Sequence, residues 1–300
     1  MSDAFLAIVN PAAGGGRCGK LAKAALEKLR AAGVELQVEE TSGPGDATRL
    51  ARRAYAGGQR QFIAVGGDGT AYEIMNGLFP EAEAVGKPVL GFLPLGTGNS
   101  FLRDFTSNGA EDAREAILAR RRKSSDVLCL RHSGGKLYFI NLLSVGFTAN
   151  VTAAANRLFK GLGEFGYLLA VLLCLARLRR EAFPMRADDD VEFDRRRCLF
   201  LSFNNSQYTG GKMRIAPHAS TSDGLIEYVR WGPIGRIGLL RNLPTLFDGT
   251  HVNHPLASHK GVRRIEFALD GRVDVMIDGE VLTLKCDSVE VLPGGLDVLV

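Results

Sequence analysis

Gly66-Gly67-Asp68-Gly69-Thr70 is the stretch with the clearest chemical potential. It follows an apolar run of strand length at 62–65 and precedes Tyr72, Ile74, Met75 and Leu78, which recur at helical spacing. A strand that turns through glycines into a helix leaves backbone N–H groups facing whatever lies over the turn, at the positive end of the helix dipole. With no Cβ in the way the backbone can approach a ligand closely, and phosphate is the anion this suits. An ordinary tight turn uses glycines too. Asp68 sets this one apart, because a carboxylate beside a phosphate repels it unless a metal or a polar network intervenes. Two more apolar runs end in the same way. Residues 5–9 lead into Asn10-Pro11-Ala12-Ala13-Gly14-Gly15-Gly16-Arg17, and residues 89–93 into Pro94-Leu95-Gly96-Thr97-Gly98-Asn99-Ser100. The first of these is no Walker-type phosphate loop, because Lys20 is followed by Leu21 and not by Ser or Thr. Arg17 beside the glycines suits a phosphate contact, though a lone Arg at a helix start is often merely exposed.

The second half of the chain offers other groups. Asn204-Asn205-Ser206-Gln207-Tyr208-Thr209-Gly210-Gly211-Lys212-Met213-Arg214 is dense in hydrogen-bonding side chains and reads as a site loop or as a hairpin, with Lys212 and Arg214 able to meet phosphate. Asp223, in Ser220-Thr221-Ser222-Asp223-Gly224-Leu225, could bind a hard cation together with backbone carbonyls, or could simply make an Asx turn. In Ile277-Asp278-Gly279-Glu280-Val281 the Asp-Gly pair signals a hairpin, yet it also places two carboxylates at a strand end. There a carboxylate can take a hydroxyl proton or hold one side of a metal network.

The elements that must position these groups fall into two regimes. Up to about residue 122, strands at 5–9, 34–38, 62–65 and 89–93 alternate with helical patterns, one carrying Leu21, Ala24, Ala25, Leu26 and Leu29, another over 47–56 with Asp46 as its cap. Such alternation predicts a parallel sheet whose ligand crevice lies beyond the carboxyl ends of the strands, which would bring all three glycine loops to one edge. From residue 127 strand-like runs dominate, at 127–131, 137–145, 191–193, 198–203, 225–231, 265–269, 273–277, 281–286 and 289–292, the pattern of an antiparallel β domain. One long helix is expected over 158–180, where Leu168, Leu169, Val171, Leu172, Leu173, Leu175 and Leu178 cover more than one face before a basic end. It reads as a core helix or as the wall of a greasy pocket or membrane-facing surface.

Composition fits this picture. Three hundred residues with 46% hydrophobic and 23% charged side chains allow two globular domains. A net charge of +4 does not demand a nucleic-acid partner. Basic clusters at 120–123, at Arg177 with 179–180, and at 195–197 suit solvated turns or an anionic bilayer surface. Five scattered cysteines imply neither disulfides nor a zinc site and fit a reducing cytoplasm. The apolar stretch 167–176 is half the length of a membrane span, and 5–9 lacks the basic flank of a signal peptide, so no transmembrane segment is expected.

Taken as a set, these motifs resemble the diacylglycerol kinase catalytic family, in its bacterial lipid kinase branch related to sphingosine kinases. The resemblance runs through Ile8-Val9-Asn10-Pro11, residues 66–70 with Glu73 and Asn76-Gly77, residues 94–99, Gly210-Gly211-Lys212 to Ala216-Pro217, Asp223-Gly224-Leu225 and Asp278-Gly279-Glu280. It implies an α/β nucleotide domain over 1–126, similar to NAD kinase and phosphofructokinase. It also implies a β-sandwich lipid-substrate domain over 127–293 and a final strand at about 294–300 returning to the first domain. The implied reaction is transfer of the ATP γ-phosphate to a lipid hydroxyl, as in diacylglycerol, in phospholipid metabolism. By the resemblance Asn10, Pro11, Ala12, Ala13, Gly14, Thr41, Gly66, Gly67, Asp68, Gly69, Thr70, Ala71, Tyr72 and Thr97 hold ATP. Asp278 is the general base, with Glu280 and Asp68 as the accompanying catalytic carboxylates, and Ser220, Asp223 and Leu225 form a magnesium site built mainly of carbonyl oxygens. The family commonly carries an acid where this chain has His218, which weakens that metal site. The implied partners are a lipid at a membrane surface and, in one arrangement, a second copy of the chain; no nucleic acid is implied. The implied location is the cytoplasm, peripheral to the inner membrane face. An NAD kinase shares Gly-Gly-Asp-Gly but leaves the apolar helix without a purpose, and a nucleotide-binding membrane module without turnover leaves Asp68, Asp278 and Glu280 together unexplained.

Overall fold

The structure is a computed structural model that describes residues 4–158, 163–210 and 212–300. The chain divides into two compact units. One comprises Met1–Val127, Tyr138–Ile140 and Leu292–Val300, the other Leu128–Leu137 and Asn141–Val291.

The first unit opens with β1 (Phe5–Val9), α1 (Arg17–Ala31), β2 (Leu36–Glu40), α2 (Asp46–Ala56), β3 (Gln61–Gly66), α3 (Asp68–Leu78), α4 (Glu81–Val85), β4 (Val89–Pro94) and α5 (Ala110–Leu118). The strands lie in the order β2-β1-β3-β4 and every pairing among them is parallel. β1 is buried along its whole length, as a central strand covered on both faces requires. β2, at the edge, has only partly buried and exposed positions. α1 buries Cys18, Ala22, Leu26 and Leu29, one stripe at helical spacing, against β1 and β3.

α2 and α3 approach so closely that a Cβ on Gly77 would lie 2.4 Å from the Thr48 carbonyl oxygen and 2.7 Å from Ala51 Cβ. The same contact corrects an expectation. Asp46 does not cap α2; its carboxylate accepts from the Ser42 amide and from Arg49. The Glu73 carboxylate, reaching across from α3, takes the Gly45 and Ala47 amides at 3.0 and 3.1 Å. A residue 26 positions away supplies the cap because the two helices pack side by side.

Two long strands contribute to both units: β5 (Arg122–His132) and, at the other end of the chain, Cys286–Leu299. Between them follow β6 (Gly135–Phe139), β7 (Leu142–Gly146), α6 (Phe147–Leu158), α7 (Gly163–Ala176), β8 (Glu181–Ala182), β9 (Met185–Ala187), β10 (Arg197–Cys198), β11 (Phe200–Asn204), β12 (Tyr208–Thr209) and β13 (Met213–Arg214). Then come β14 (Ile226–Trp231), α8 (Arg236–Asn242), α9 (Thr245–Asp248), β15 (Ala257–Val262), β16 (Arg264–Phe267), β17 (Val273–Ile277), β18 (Glu280–Leu284) and β19, the Cys286–Leu299 strand. In the second unit six strands form an antiparallel sheet, β15-β14-β11-β7-β17-β18, while β9 and the first part of β19 flank β16. Phe203 on β11 meets Phe267 on β16 edge to face, with ring centroids 5.3 Å apart. The end of β19 belongs to the first unit, where Asp297 and Val298 pair in parallel with Val89 and Leu90 of β4.

Several boundaries differ from those read in the sequence. The run 137–145 is two strands, broken at Ile140-Asn141 because the Asn141 backbone is turned to other partners. Residues 191–193 are not a strand; Val191 is 87% exposed, and the neighbouring ladder contact is the single bridge Met185–Asp194. Residues 281–286 and 289–292 are divided differently: β18 ends at Leu284, and one strand of 14 residues runs on from Cys286. Of the helix expected over 158–180, α7 covers Gly163–Ala176, and α6 before it was not anticipated. Residues 159–162 and the side chains of Leu168 and Leu172 lie outside the described residues. α8 and α9 were also missed, because their apolar residues sit on two faces and hide the helical period. No helix among the described residues is long and apolar enough to cross a membrane.

Candidate functional site

In the first unit β1, β3 and β4 end side by side, with Val9 opposite Val65 and Gly66 opposite Pro94. Their loops are stitched to one another. The Asn10 amide donates to the Val65 carbonyl (3.0 Å), Gly96 to Gly66 (2.8 Å), Asp68 to Gly98 (3.0 Å) and Thr41 to Val9 (2.9 Å). The glycines are there because backbone lies against backbone. A Cβ on Gly96 would stand 2.7 Å from both the Gly67 nitrogen and Cα, one on Gly67 would stand 2.8 Å from the Gly98 carbonyl oxygen, and one on Gly14 3.1 Å from that of Leu95. Gly14, Gly15 and Gly16 all have left-handed backbone, with φ of 63°, 64° and 87°. Among the described residues the Gly14, Gly15 and Gly69 amides have no protein acceptor. Thr70 is 3% exposed, and its hydroxyl has no hydrogen-bond partner among the described residues. An edge of close-packed backbone with unspent N–H donors, two in the loop before α1 and one at the start of α3, is an anion cradle. Nucleotide phosphates fit it on the same grounds: a side chain would fill the space, and a buried hydroxyl is left unspent.

Asp68 does not point its charge at that cradle unopposed. Both its carboxylate oxygens accept from the Ser100 amide, at 3.1 and 2.9 Å, so the residue ties the 94–100 loop to α3. Burial pushes its carboxyl pKa up, opposed by hydrogen bonds from Ser100 and the Phe101 amide. Of the other residues marked in the sequence, Thr41 is buried beneath the cradle, while Ala12 and Thr97 are exposed at its rim. Asn10 bends its own side chain back to accept from the Ala12 amide (3.1 Å). Asn76 works elsewhere: its amide side chain pairs with both the N–H and the C=O of Tyr138, at 2.9 Å each.

In the second unit Asp278-Gly279 is the two-residue turn of the β17–β18 hairpin, with Ile277 paired to Glu280 and φ of 47° and 92°. Asp278 is 2% exposed, and its Oδ1 accepts from the Leu142 amide at 2.9 Å and the Asn141 amide at 3.1 Å. Asn141 is the residue that sequence reasoning missed; its one signal is a polar side chain between two apolar strand runs. Its carbonyl accepts from the Asn205 and Ser206 amides, and its side chain meets the Ser206 hydroxyl. Asn204, Asn205 and Ser206 are fully buried. They are therefore no open site loop. Asn205 and Ser206 brace Asn141, which holds Asp278, while the Asn204 side chain donates to Ser202 Oγ and the Glu227 carbonyl. Glu280 is exposed.

Lys212 is exposed, Gly211 lies outside the described residues, and the Arg214 guanidinium donates to Gln207 Oε1 at 2.8 Å. Asp223 Oδ1 accepts from the Leu225 amide at 3.0 Å, an Asx turn. Among the described residues no three His, Cys, Asp or Glu side chains gather as a metal-binding group. A cation at Ser220, Asp223 and Leu225 would take one carboxylate with carbonyl oxygens, a donor set that suits only a hard ion. His218 stacks on His259 (4.7 Å between centroids), whose Nδ1 is 2.9 Å from Glu227 Oε1.

The second unit also holds a cleft of about 810 Å³. Phe147, Ala153, Ala154, Leu158, Leu173 and Val273 line it with apolar surface, and five arginines stand around it.

A parallel α/β unit ending in three interlocked glycine loops, followed by an antiparallel β unit with a buried, amide-held aspartate, defines a class of phosphate-handling protein. The comparisons with known proteins agree. Residues 4–130 match the diacylglycerol kinase catalytic domain, and residues 141–300 match the YegS C-terminal NAD kinase beta sandwich-like domain. The chain is 29% identical over 298 residues to a diacylglycerol kinase of Mycobacterium tuberculosis, covering 98% of this chain and 94% of that one. It is 33% identical over 281 residues to a "Probable lipid kinase YegS-like" of Pseudomonas aeruginosa, covering 92% and 88%. The crystal structure of a diacylglycerol kinase from Bacillus anthracis shares the fold, with a TM-score of 0.71 at 23% identity over 99% of this chain and 96% of that one. The chain belongs to the diacylglycerol kinase catalytic-domain family, in its YegS-like lipid kinase branch.

Proposed function

We propose that the protein transfers the γ-phosphate of ATP to a hydroxyl of a lipid such as diacylglycerol, at the cytoplasmic face of a membrane. The glycine cradle, in a chain of this family, is the observation that carries the reading. Residues 10–14, Thr41, residues 66–72 and Thr97 hold the nucleotide. Backbone amides supply most of the contacts, and the Thr70 hydroxyl offers one more donor. Asp68 acts by keeping the 94–100 loop in place. Asp278 accepts the proton of the acceptor hydroxyl as its oxygen attacks the γ-phosphorus; the bond from that phosphorus to the β–γ bridging oxygen breaks, and ADP leaves with the electron pair. Glu280 adds a second carboxylate beside the base, and Lys212 or Arg214 steadies the transferring group. Magnesium, where bound, offsets the charge that develops on the phosphate oxygens. Positioning and electrostatics provide most of the acceleration in such reactions. The arginine-rimmed cleft takes the acyl part of the acceptor, and Ser220, Asp223 and Leu225 hold a structural cation outside the reaction.

Incubation with labelled ATP, magnesium and detergent micelles of diacylglycerol, monoacylglycerol, phosphatidylglycerol or a sphingoid base tests this. Label in the lipid phase is expected. Label in NAD instead, or no transfer to any acceptor, overturns it.

A further inference from the structure

The segment 236–248 presents apolar side chains on two opposite faces. Leu239, Leu243 and Leu246 pack into the core of the second unit. Ile237, Leu240 and Phe247 are 68%, 51% and 53% exposed. These sets stay in phase because Leu243 and Pro244, between α8 and α9, keep helical dihedrals (φ −56°, ψ −40° and φ −59°, ψ −32°). Spacings of three and ten residues from Ile237 therefore fall on one outer face. Core formation accounts for the first set only. Three large apolar groups on one outward face are the mark of a binding surface.

Charge identifies what covers it. Arg241 follows Ile237 by one helical turn, and Arg236 begins α8 while donating to the Leu175 and Ala176 carbonyls, at 3.1 and 3.0 Å, at the end of α7. That bond joins the apolar face to the cleft beside it, where Arg157, Arg177, Arg179 and Arg272 stand with, among the described residues, only Glu181 and Asp274 to oppose them. All four arginines are exposed, and among the described residues none has an ion-pair partner. Basic groups around exposed Ile, Leu and Phe suit a surface that is anionic outside and apolar within.

We infer that the outer face of α8 and α9, with the arginine rim next to it, seats the protein on a bilayer carrying anionic headgroups. Ile237, Leu240 and Phe247 enter the headgroup–acyl boundary, and the arginines meet lipid phosphates. The lipid-kinase reading, on which this rests, supplies the reason for docking. A face that sits on the bilayer beside the cleft lets an acceptor lipid move from membrane to protein without crossing water.

The experiment is co-sedimentation, without nucleotide, with vesicles of pure phosphatidylcholine and of phosphatidylcholine containing phosphatidylglycerol. The wild-type chain is expected to bind the anionic vesicles at least tenfold better, and binding is expected to weaken as salt rises, since each arginine near an anionic surface is worth roughly fivefold. Ile237→Ser with Leu240→Ser should cut vesicle binding at least tenfold while leaving phosphorylation of detergent-solubilised lipid at the wild-type rate. In an Ile237→Trp variant the new indole should shift its emission to the blue with anionic vesicles. Equal binding by the double variant, or no preference for anionic vesicles, overturns the inference. So does a wild-type dimer that the double variant turns monomeric with vesicle binding intact, which would make this face a contact between copies. Failure of micellar lipid phosphorylation in the wild type, with the vesicle results as expected, would overturn the activity and leave the docking face standing.

Discussion

The Asp278 carboxylate sits 2.9 Å from the Leu142 amide, 136 residues away in the chain, and this contact helps fix where the proposed proton acceptor stands. The bond is doubled in the other direction, since the Asp278 amide donates to the Leu142 carbonyl at 3.0 Å. A φ of 47° is uncommon for a residue with a side chain, and Asp and Asn tolerate it best. Turn geometry, backbone pairing and carboxylate anchoring therefore all act on the same residue. That is the condition under which a strained position persists.

Asp278→Asn is the corresponding test. Asparagine keeps an Oδ1 to accept the Asn141 and Leu142 amides and tolerates the left-handed backbone, so the hairpin should survive. It cannot take a proton. Turnover on micellar lipid should fall by about 10²–10⁴-fold, the usual share of a general base, while calorimetric titration with a nucleotide gives the wild-type affinity. A rate within a few-fold of wild type would remove Asp278 from the chemistry.

Gly96→Ala tests the cradle. The added methyl would meet the Gly67 backbone at 2.7 Å, and neither loop can yield without disturbing the Gly96–Gly66 and Asp68–Gly98 hydrogen bonds. We expect a loss of about 1–3 kcal/mol in stability from overpacking and a drop in nucleotide affinity of at least tenfold. Gly43→Ala, which adds a methyl with nothing within 4 Å, is the control and should leave both unchanged.

These tests separate what the sequence discloses from what it hides. The parallel strands, their order of alternation with helices and the meeting of three glycine loops could be read because each rests on local pattern: apolar runs, glycine turns and helical spacing. What the polar residues do was less legible. Asn204, Asn205 and Ser206 read as a site loop, yet they are fully buried, because hydrogen-bonding side chains look the same in sequence whether they face solvent or each other. Asn141 gave almost no signal, since its part is played through its backbone. Asp46 looked like a cap because caps are sought locally, whereas the acceptor at the start of α2 comes from Glu73 in another helix. α8 and α9 escaped because a helix apolar on both faces loses its period.

Glu73→Ala removes that acceptor. The Gly45 and Ala47 amides would lose their carboxylate partner, and capping losses of this kind cost about 0.5–2 kcal/mol. Denaturant unfolding should show a decrease in that range, and amide hydrogen exchange at positions 45 and 47 should quicken more than in the rest of α2. Unchanged exchange there would show that the cap contributes nothing.

His251 should make the second unit sensitive to acid. It is 1% exposed, packs against Trp231 and Phe200, and faces two carbonyls, with Nε2 3.0 Å from Ile215 and Nδ1 3.3 Å from Thr245. A neutral imidazole can donate to only one of them. Protonation would satisfy both, and Asp248 also favours the charge, but burial dominates and holds the pKa below the ordinary 6.5. With the folded value depressed, the unfolded chain binds the proton more readily. The stabilisation from neutral His251 is complete above pH 6.5 and is lost as pH falls through the folded value. Denaturant midpoints measured from pH 7.5 to 5 should decline on the acid side for the wild type. His251→Gln keeps one side-chain N–H for the Ile215 carbonyl and has no proton to gain, so its midpoint should start lower and decline less steeply. Parallel pH profiles for the two proteins would assign the acid sensitivity to other groups.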